Sequence, residues 1–252
     1  MKKIVFLSDA HLDGKNDRAL PWLMSFIKSL KGKISSLYIV GDLFDFWMGD
    51  NPLCLIEYRP LLEALRELKD EGAEIVYIEG NHDFFLGRFF TDVLRARVFP
   101  KECVEYINGK RVYIAHGDLA DTGDYGYRIF RALIHNRGAF LLSRILPPSF
   151  VWRVARLFSL KSRTNRRSEN PRLSNAFHRF TEGKFAEGYD VVILGHLHVP
   201  EIREVIYNGK PHVSMTLGGW LAGRSYLEYD KGRFVLRQWK RRKSHSRQRT
   251  PS

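Results

Sequence analysis

Five short apolar runs punctuate the chain, and each is followed at once by polar residues. They are Ile4–Leu7, Leu37–Val40, Ile75–Ile78, Val112–Ala115 and Val191–Leu194. The runs are rich in Val and Ile and do not alternate with polar positions, which predicts strands buried on both faces. Two stretches between the early runs carry apolar residues at helical spacing. Ala19–Leu30 has Leu20, Leu23, Met24, Ile27 and Leu30, and Arg59–Asp70 has Leu61, Leu62, Leu65 and Leu68, with Gly72 as a natural stop. Strand–helix–strand alternation predicts an α/β layered fold. Further strands are expected at Glu201–Tyr207, His212–Leu217, Ser225–Tyr229 and Arg233–Trp239, the last two joined by the turn Asp230-Lys231-Gly232. No internal repeat is visible.

Residues 121–182 break this alternation. The pattern predicts helices over Tyr127–Leu146 and Ser149–Phe158, separated by Pro147-Pro148. The second is apolar over most of its circumference, through Phe150, Val151, Trp152, Val154, Leu157 and Phe158, with Arg153 and Arg156 interspersed. A basic loop, Lys161–Arg167, and a further helix from about Leu173 to Phe185 follow. An apolar helix with basic residues can be buried or can meet an amphiphile. The segment reads as an insertion at about 121–182 in one domain spanning 1–239, with a basic tail at 240–252.

Charge sharpens that division. The net charge of +13 over 252 residues is uneven. The tail carries +6 and the insertion +8, leaving −1 for the remainder. Basic patches favour anionic partners, namely nucleic acid, phosphorylated ligands or anionic lipid. A nucleic-acid module would interleave basic residues with stacking aromatics on a platform. Here the basic residues lie in an apolar helical insertion and a tail, so nucleic acid ranks last. A hydrophobic content of 44% fits a folded chain that can bury a sizeable core. Two cysteines, Cys54 and Cys103, without CxxC spacing argue for a reducing compartment and against a disulfide scaffold. The apolar run near the N-terminus ends at Asp9 and reads as a strand, not a leader peptide. No run approaches the ~18 apolar residues of a membrane span.

The residues just after the five runs carry the chemistry. They read Asp9-Ala10-His11, Gly41-Asp42-Leu43-Phe44-Asp45, Gly80-Asn81-His82-Asp83, His116-Gly117-Asp118 and Gly195-His196-Leu197-His198. Ligands bind at strand ends along one edge of an α/β sheet. Mixed imidazole and carboxylate side chains suit first-row divalent metals. A single such motif is more often a surface or capping group. Five in register point to a metal site, because unpaired polar groups at buried strand ends are costly.

In this order the motifs resemble the calcineurin-like metallophosphoesterase superfamily, over residues 9–198. The resemblance implies a four-layer αββα sandwich and two divalent ions, expected to be Mn²⁺. By analogy Asp9, His11, Asp42 and His198 hold one ion. Asp42, Asn81, His116 and His196 hold the other, with Asp42 bridging. Two cations roughly 3.5–4 Å apart clamp phosphoryl oxygens and acidify a water. His82 matches the position that faces the substrate, so His82 and Asp42 are the catalytic candidates, with Asp45 and Asp83 in supporting or capping roles.

The insertion is similar to that of the UDP-2,3-diacylglucosamine hydrolases of lipid A biosynthesis. The similarity rests on Asp124-Tyr125-Gly126-Tyr127-Arg128-Ile129-Phe130-Arg131, followed by a Leu-rich helix, a Pro break, another helix and a basic loop. It implies hydrolysis of a UDP-linked diacyl sugar to UMP and a diacyl sugar phosphate, with the insertion as a helical lid over the acyl chains. Asp124, Tyr127, Arg163, Arg166 and Arg167 are then the candidate substrate contacts. The expected setting is cytoplasmic, peripheral on the inner face of the bacterial inner membrane. His82 departs from the closer family, which carries Arg at that position. The alternative is a related metallophosphoesterase acting on another phosphodiester, nucleotide or lipid phosphate.

Overall fold

The structure is a computed structural model that describes residues 2–147, 149–151, 153 and 171–240. In chain order its strands begin with β1 (Lys3–Leu7), β2 (Ile34–Val40), β3 (Trp47–Met48), β4 (Glu74–Ile78), β5 (Asp83–Phe84) and β6 (Arg97–Phe99). They continue with β7 (Glu102–Ile107), β8 (Lys110–Ala115), β9 (Val191–Leu194), β10 (Glu201–Tyr207), β11 (Lys210–Thr216), β12 (Ser225–Asp230) and β13 (Arg233–Gln238). The helices are α1 (Leu20–Leu30), α2 (Pro52–Glu57), α3 (Arg59–Asp70), α4 (Tyr125–Ile134), α5 (Arg137–Ile145), α6 (Pro171–Ala186) and the short α7 (Trp220–Gly223).

All five apolar runs are strands, and their two faces serve two different cores. A six-stranded sheet has the order β13-β12-β1-β2-β4-β6, and a five-stranded sheet has the order β10-β11-β9-β8-β7. Phe6, Tyr38, Val40 and Ile78 from the first sheet meet Val112, Ile114, Ile193 and Met215 from the second. Val5, Leu7, Leu37, Ile39, Ile75 and Tyr77 point the other way, onto α1 and α3. On the far side Tyr113, Ala115, Val192 and Leu194 pack against Phe177 and Phe185 of α6. The layers therefore run helix, sheet, sheet, helix. Each such side chain contributes about 1.5–3 kcal/mol by its burial, which explains the absence of polar alternation.

The parallel pairs set the edge where chemistry can occur. β1, β2, β4 and β6 are mutually parallel, as are β8, β9 and β11. The carboxyl ends of the central strands thus emerge together. Loop hydrogen bonds stitch them: Asp9 N to Gly41 O at 3.1 Å and His11 N to Asp42 O at 2.9 Å.

One expectation changes in detail. The helix predicted over Tyr127–Leu146 is two helices, α4 and α5. Asn136 ends one and starts the other, because its Oδ1 caps α5 by accepting from Ala139 N at 2.9 Å. The helix predicted at Ser149–Phe158 lies mostly outside the described residues; 149–151 and 153 are helical. The loop Lys161–Arg167 and residues 241–252 of the tail also lie outside them. The hairpin turn before β13 is as expected, with Lys231 and Gly232 both left-handed at φ 49° and 84°.

Gly80 is where backbone packing at this edge is tightest. A Cβ there would collide with Asp42 Oδ1 and lie 2.6 Å from Asp42 N. Gly183, on the exposed side of α6, would meet nothing within 4 Å. In denaturant unfolding, Gly80→Ala is expected to destabilise by about 1–3 kcal/mol, and Gly183→Ala to stabilise by about 0.5–1 kcal/mol. Equal midpoints for the two variants would contradict this packing.

Candidate metal centre

The strand-end loops reverse direction within one or two residues, and the backbone shows how. Asp9, His11, Asp42 and His196 all adopt left-handed φ, at 54°, 43°, 54° and 62°. Non-glycine residues rarely do so, and such conformers persist only where surroundings enforce them. Here the surroundings are hydrogen bonds between loops. His196 N donates to Asp9 Oδ2 at 2.9 Å, and His82 N donates to Asp42 Oδ1 at 2.9 Å.

Asp83 is the clasp of this arrangement. Its buried carboxylate accepts from Asp42 N (2.9 Å), Leu43 N (2.6 Å), Phe44 N (3.3 Å), Gly80 N (3.0 Å) and the Tyr77 hydroxyl (2.6 Å). Burial and the nearby Asp42 charge push its pKa up to about 7, while these donors pull it down. The Asp42 and Asn81 loops are thereby held to one carboxylate. Asp45 supports differently, through its main-chain carbonyl.

The side chains then converge. Asp9, His11 and His198 offer ligand atoms within 4.8 Å of one another, and so do Asp42, His116 and His196. Asn81 joins the second group, with Oδ1 at 3.1 Å from His116 Nε2. Asp42 Oδ2 lies between the groups, 3.3 Å from His116 Nε2 and 3.7 Å from His11 Nε2. Asp9 Oδ1 lies 3.4 Å from His198 Nε2. All seven expected residues are therefore brought together. Asp9, His11, Asp42 and His116 are buried, whereas Asn81, His196 and His198 border the open side.

The donor set fits divalent cations. Asp9 Oδ1 and Asp42 Oδ2 are buried and accept no hydrogen bond. Unpaired anionic oxygens in such a setting demand a positive charge. Ring nitrogens also face each other, His11 Nε2 to His198 Nε2 and His196 Nδ1 to His116 Nε2, both at 3.3 Å. That spacing matches two ligands on one ion, since metal–nitrogen bonds of about 2.0–2.1 Å place tetrahedral partners roughly 3.3 Å apart. His116 Nδ1 lies 3.0 Å from Val40 O, to which it donates, leaving Nε2 for a ligand.

Charge in the cluster is balanced by imidazoles. Burial opposes ionisation of Asp42, but His116, His82 and His11 outweigh it and hold the carboxyl well below the usual range. Burial likewise opposes ionisation of Asp9, and His11, His198 and His116 reverse the balance. Burial disfavours a charged His116, yet Asp42, Asp9 and Asp118 push its pKa up to about 10. His196 is pulled down to about 4, by burial and then by His116.

His82 sits at the rim of this group. A ring nitrogen of His82 lies within 4.8 Å of ligand atoms of His11 and Asp42. Its Nδ1 lies 2.8 Å from Asp45 O and donates to it, fixing the ring. Of the candidate substrate contacts, Asp124 caps α4 by accepting from Tyr127 N at 2.9 Å, and Tyr127 donates its hydroxyl to Asp118 Oδ2 at 2.7 Å. Arg163, Arg166 and Arg167 lie outside the described residues. Sequence reasoning assigned no role to Asp118, Arg131 or His135. Their signal is the i, i+4, i+8 spacing of Tyr127, Arg131 and His135, which places three polar groups on one helix face.

Comparison with known proteins agrees with this geometry. Residues 2–200 match the family model for calcineurin-like phosphoesterases. Proteins named UDP-2,3-diacylglucosamine hydrolase are similar over most of the chain. The protein from Photorhabdus laumondii is 33% identical over 224 residues, covering 86% of this chain and 90% of its own. That from Proteus mirabilis is 29% identical over 239 residues, covering 93% and 98%. That from Escherichia coli is 32% identical over 224 residues, covering 86% and 90%.

Ion binding is expected to displace the proton on His116. With a pKa of about 10, the ion-free ring is charged at every pH well below that value. Calorimetric titration of metal-free protein with Mn²⁺ at pH 7, in two buffers of different ionisation enthalpy, should report release of roughly one proton or more. A buffer-independent heat would contradict the placement of His116 Nε2 on an ion.

Proposed function

The chain belongs to the calcineurin-like phosphoesterase family and is a metal-dependent hydrolase, and from that premise we propose that it hydrolyses the diphosphate of UDP-2,3-diacylglucosamine. The products are UMP and 2,3-diacylglucosamine 1-phosphate, which makes the reaction a step of lipid A biosynthesis. The observation that carries this reading is the pair of orphaned carboxylate oxygens, Asp9 Oδ1 and Asp42 Oδ2, ringed by imidazoles. Relatives at about 30% identity over most of the chain support the substrate.

In this reading Asp9, His11, Asp42 and His198 hold one divalent ion. Asp42, Asn81, His116 and His196 would hold the second, with Asp42 common to both sets. Mn²⁺ is the ion the family resemblance implies, and a mix of carboxylate, amide oxygen and imidazole also takes Fe, Zn or Co. When bound, the ions supply Lewis acidity at the phosphoryl oxygens and a readily deprotonated water.

The chain's own residues do the rest. His82, its Nδ1–H held by Asp45 O, presents Nε2 toward the reacting phosphoryl group. From there it stabilises developing charge or gives a proton to the leaving oxygen. Asp83 keeps the Asp42 and Asn81 loops in register, so donors and substrate meet without reorganisation. In the reading of one domain over 1–239 with an insertion at about 121–182, the described helices α4 and α5 serve as part of a lid. Tyr125, Ile129 and Leu133 of α4 and Leu141, Leu142 and Ile145 of α5 are exposed, an apolar surface suited to acyl chains. No described helix is long and apolar enough to cross a membrane. Peripheral association with the inner face of the bacterial inner membrane fits this surface and an amphiphilic substrate.

Purified protein with Mn²⁺ should release UMP from UDP-2,3-diacylglucosamine, and Asp42→Ala should abolish this together with tight ion binding. His82→Ala should lower kcat by about 10²-fold or more while keeping two ions per chain. Absence of UMP release alongside robust cleavage of a simple chromogenic phosphodiester would reject the substrate. Loss of bound metal in His82→Ala would reassign that residue as a ligand.

A further inference from the structure

Helix α4 is inside out. An ordinary surface helix turns its apolar side inward, but here Tyr125, Ile129 and Leu133 are exposed. The inward face carries Tyr127, Arg131 and His135, spaced four apart. Two of them meet Asp118. The Tyr127 hydroxyl and Arg131 Nε both donate to Asp118 Oδ2. His135 stacks on Phe84, with ring centroids 3.8 Å apart, and lies against the Asn81 main chain. The polar face of α4 thus adjoins the loops that bear Asn81 and His116.

Arg131 is the member with unused capacity. Its side chain is only 11% exposed and that of Asp118 only 5%. A guanidinium carries five N–H donors. Asp118 takes the Nε–H, and among the described residues no acceptor meets the Nη groups. The side chain as a whole keeps some exposure. A mostly buried fork with open donors fits a carboxylate or, beside a phosphoesterase centre, a phosphoryl group.

We propose that Arg131, anchored through Nε by Asp118, binds with its Nη edge the phosphoryl group next to the one attacked, and so selects diphosphates over single phosphodiesters. This rests on the phosphoester-hydrolase reading above but not on the acyl chains. Arg131 is then a substrate-binding residue, and Asp118 and Tyr127 are positioning residues. The reversed polarity of α4 follows, because its inner face meets a charged ligand.

The test compares wild type, Arg131→Lys and Arg131→Gln on three substrates with Mn²⁺ present. These are UDP-2,3-diacylglucosamine, UDP-N-acetylglucosamine and bis(4-nitrophenyl) phosphate. Arg131→Gln should lose roughly 10- to 100-fold more kcat/KM on the two diphosphates than on the single diester. Arg131→Lys, which keeps charge but not the fork, should recover part of that difference and covers the case in which Arg131→Gln does not fold. Equal losses on all three substrates, with a lowered melting temperature, would make Arg131 a structural tether and overturn the inference. Wild-type turnover of the single diester but of neither diphosphate would overturn it too. Turnover of UDP-N-acetylglucosamine but not the diacyl substrate would reject only the lipid reading, leaving Arg131 to be judged on the diphosphate that reacts.

Discussion

Asp9 and Asp42 are wholly buried carboxylates, each with one oxygen that accepts no hydrogen bond and has imidazole nitrogens 3.3 to 3.7 Å away. Charge in a low-dielectric interior needs a counter-charge close by, or the group takes up a proton instead. Both carboxyls are held ionised by the imidazoles around them. The fold around this edge can be understood as the means of keeping two anions, four imidazoles and one amide in such a space. Among the described residues of the cluster, His116 is the imidazole whose pKa the two carboxylates push up, to about 10.

The delivery of those groups depends on backbone conformations that sequence patterns do not favour. Four of the converging residues are left-handed. Gly80 permits the Asn81 loop to approach Asp42 closely, and Asp83 then binds three successive amides from Asp42 to Phe44. Parallel strand ends bring the loops to one edge, and the stitched loops convert proximity into a fixed geometry. α4 uses the same edge differently. It presents polar residues to the centre and apolar residues to its surroundings.

Much of this was legible in the chain. The five apolar runs stand out because each is buried on both faces, and α3 occurs over the expected residues because its leucines repeat at helical spacing. The seven donor residues were visible because each follows a run directly. What was not legible has physical causes. β3, β5 and β6 are two or three residues long, too short for any periodicity. The π-helical turn Phe89–Val93 is held by Asp50, which accepts from Arg88 N and Phe89 N across a distant loop. The break between α4 and α5 depends on one Asn side chain inside a leucine-rich stretch. Arg131 looked like one more basic residue of the insertion, because its contact is with Asp118, thirteen residues earlier.

The central claim is that the cluster around Asp42 holds two cations at once. Diffraction from crystals grown with Mn²⁺, collected above and below the manganese absorption edge, tests it most directly. The account predicts two anomalous peaks per chain, roughly 3.5–4 Å apart, with the Asp42 carboxylate between them and His198 and Asn81 on opposite ions. A single peak, or two peaks that do not share Asp42, would contradict it.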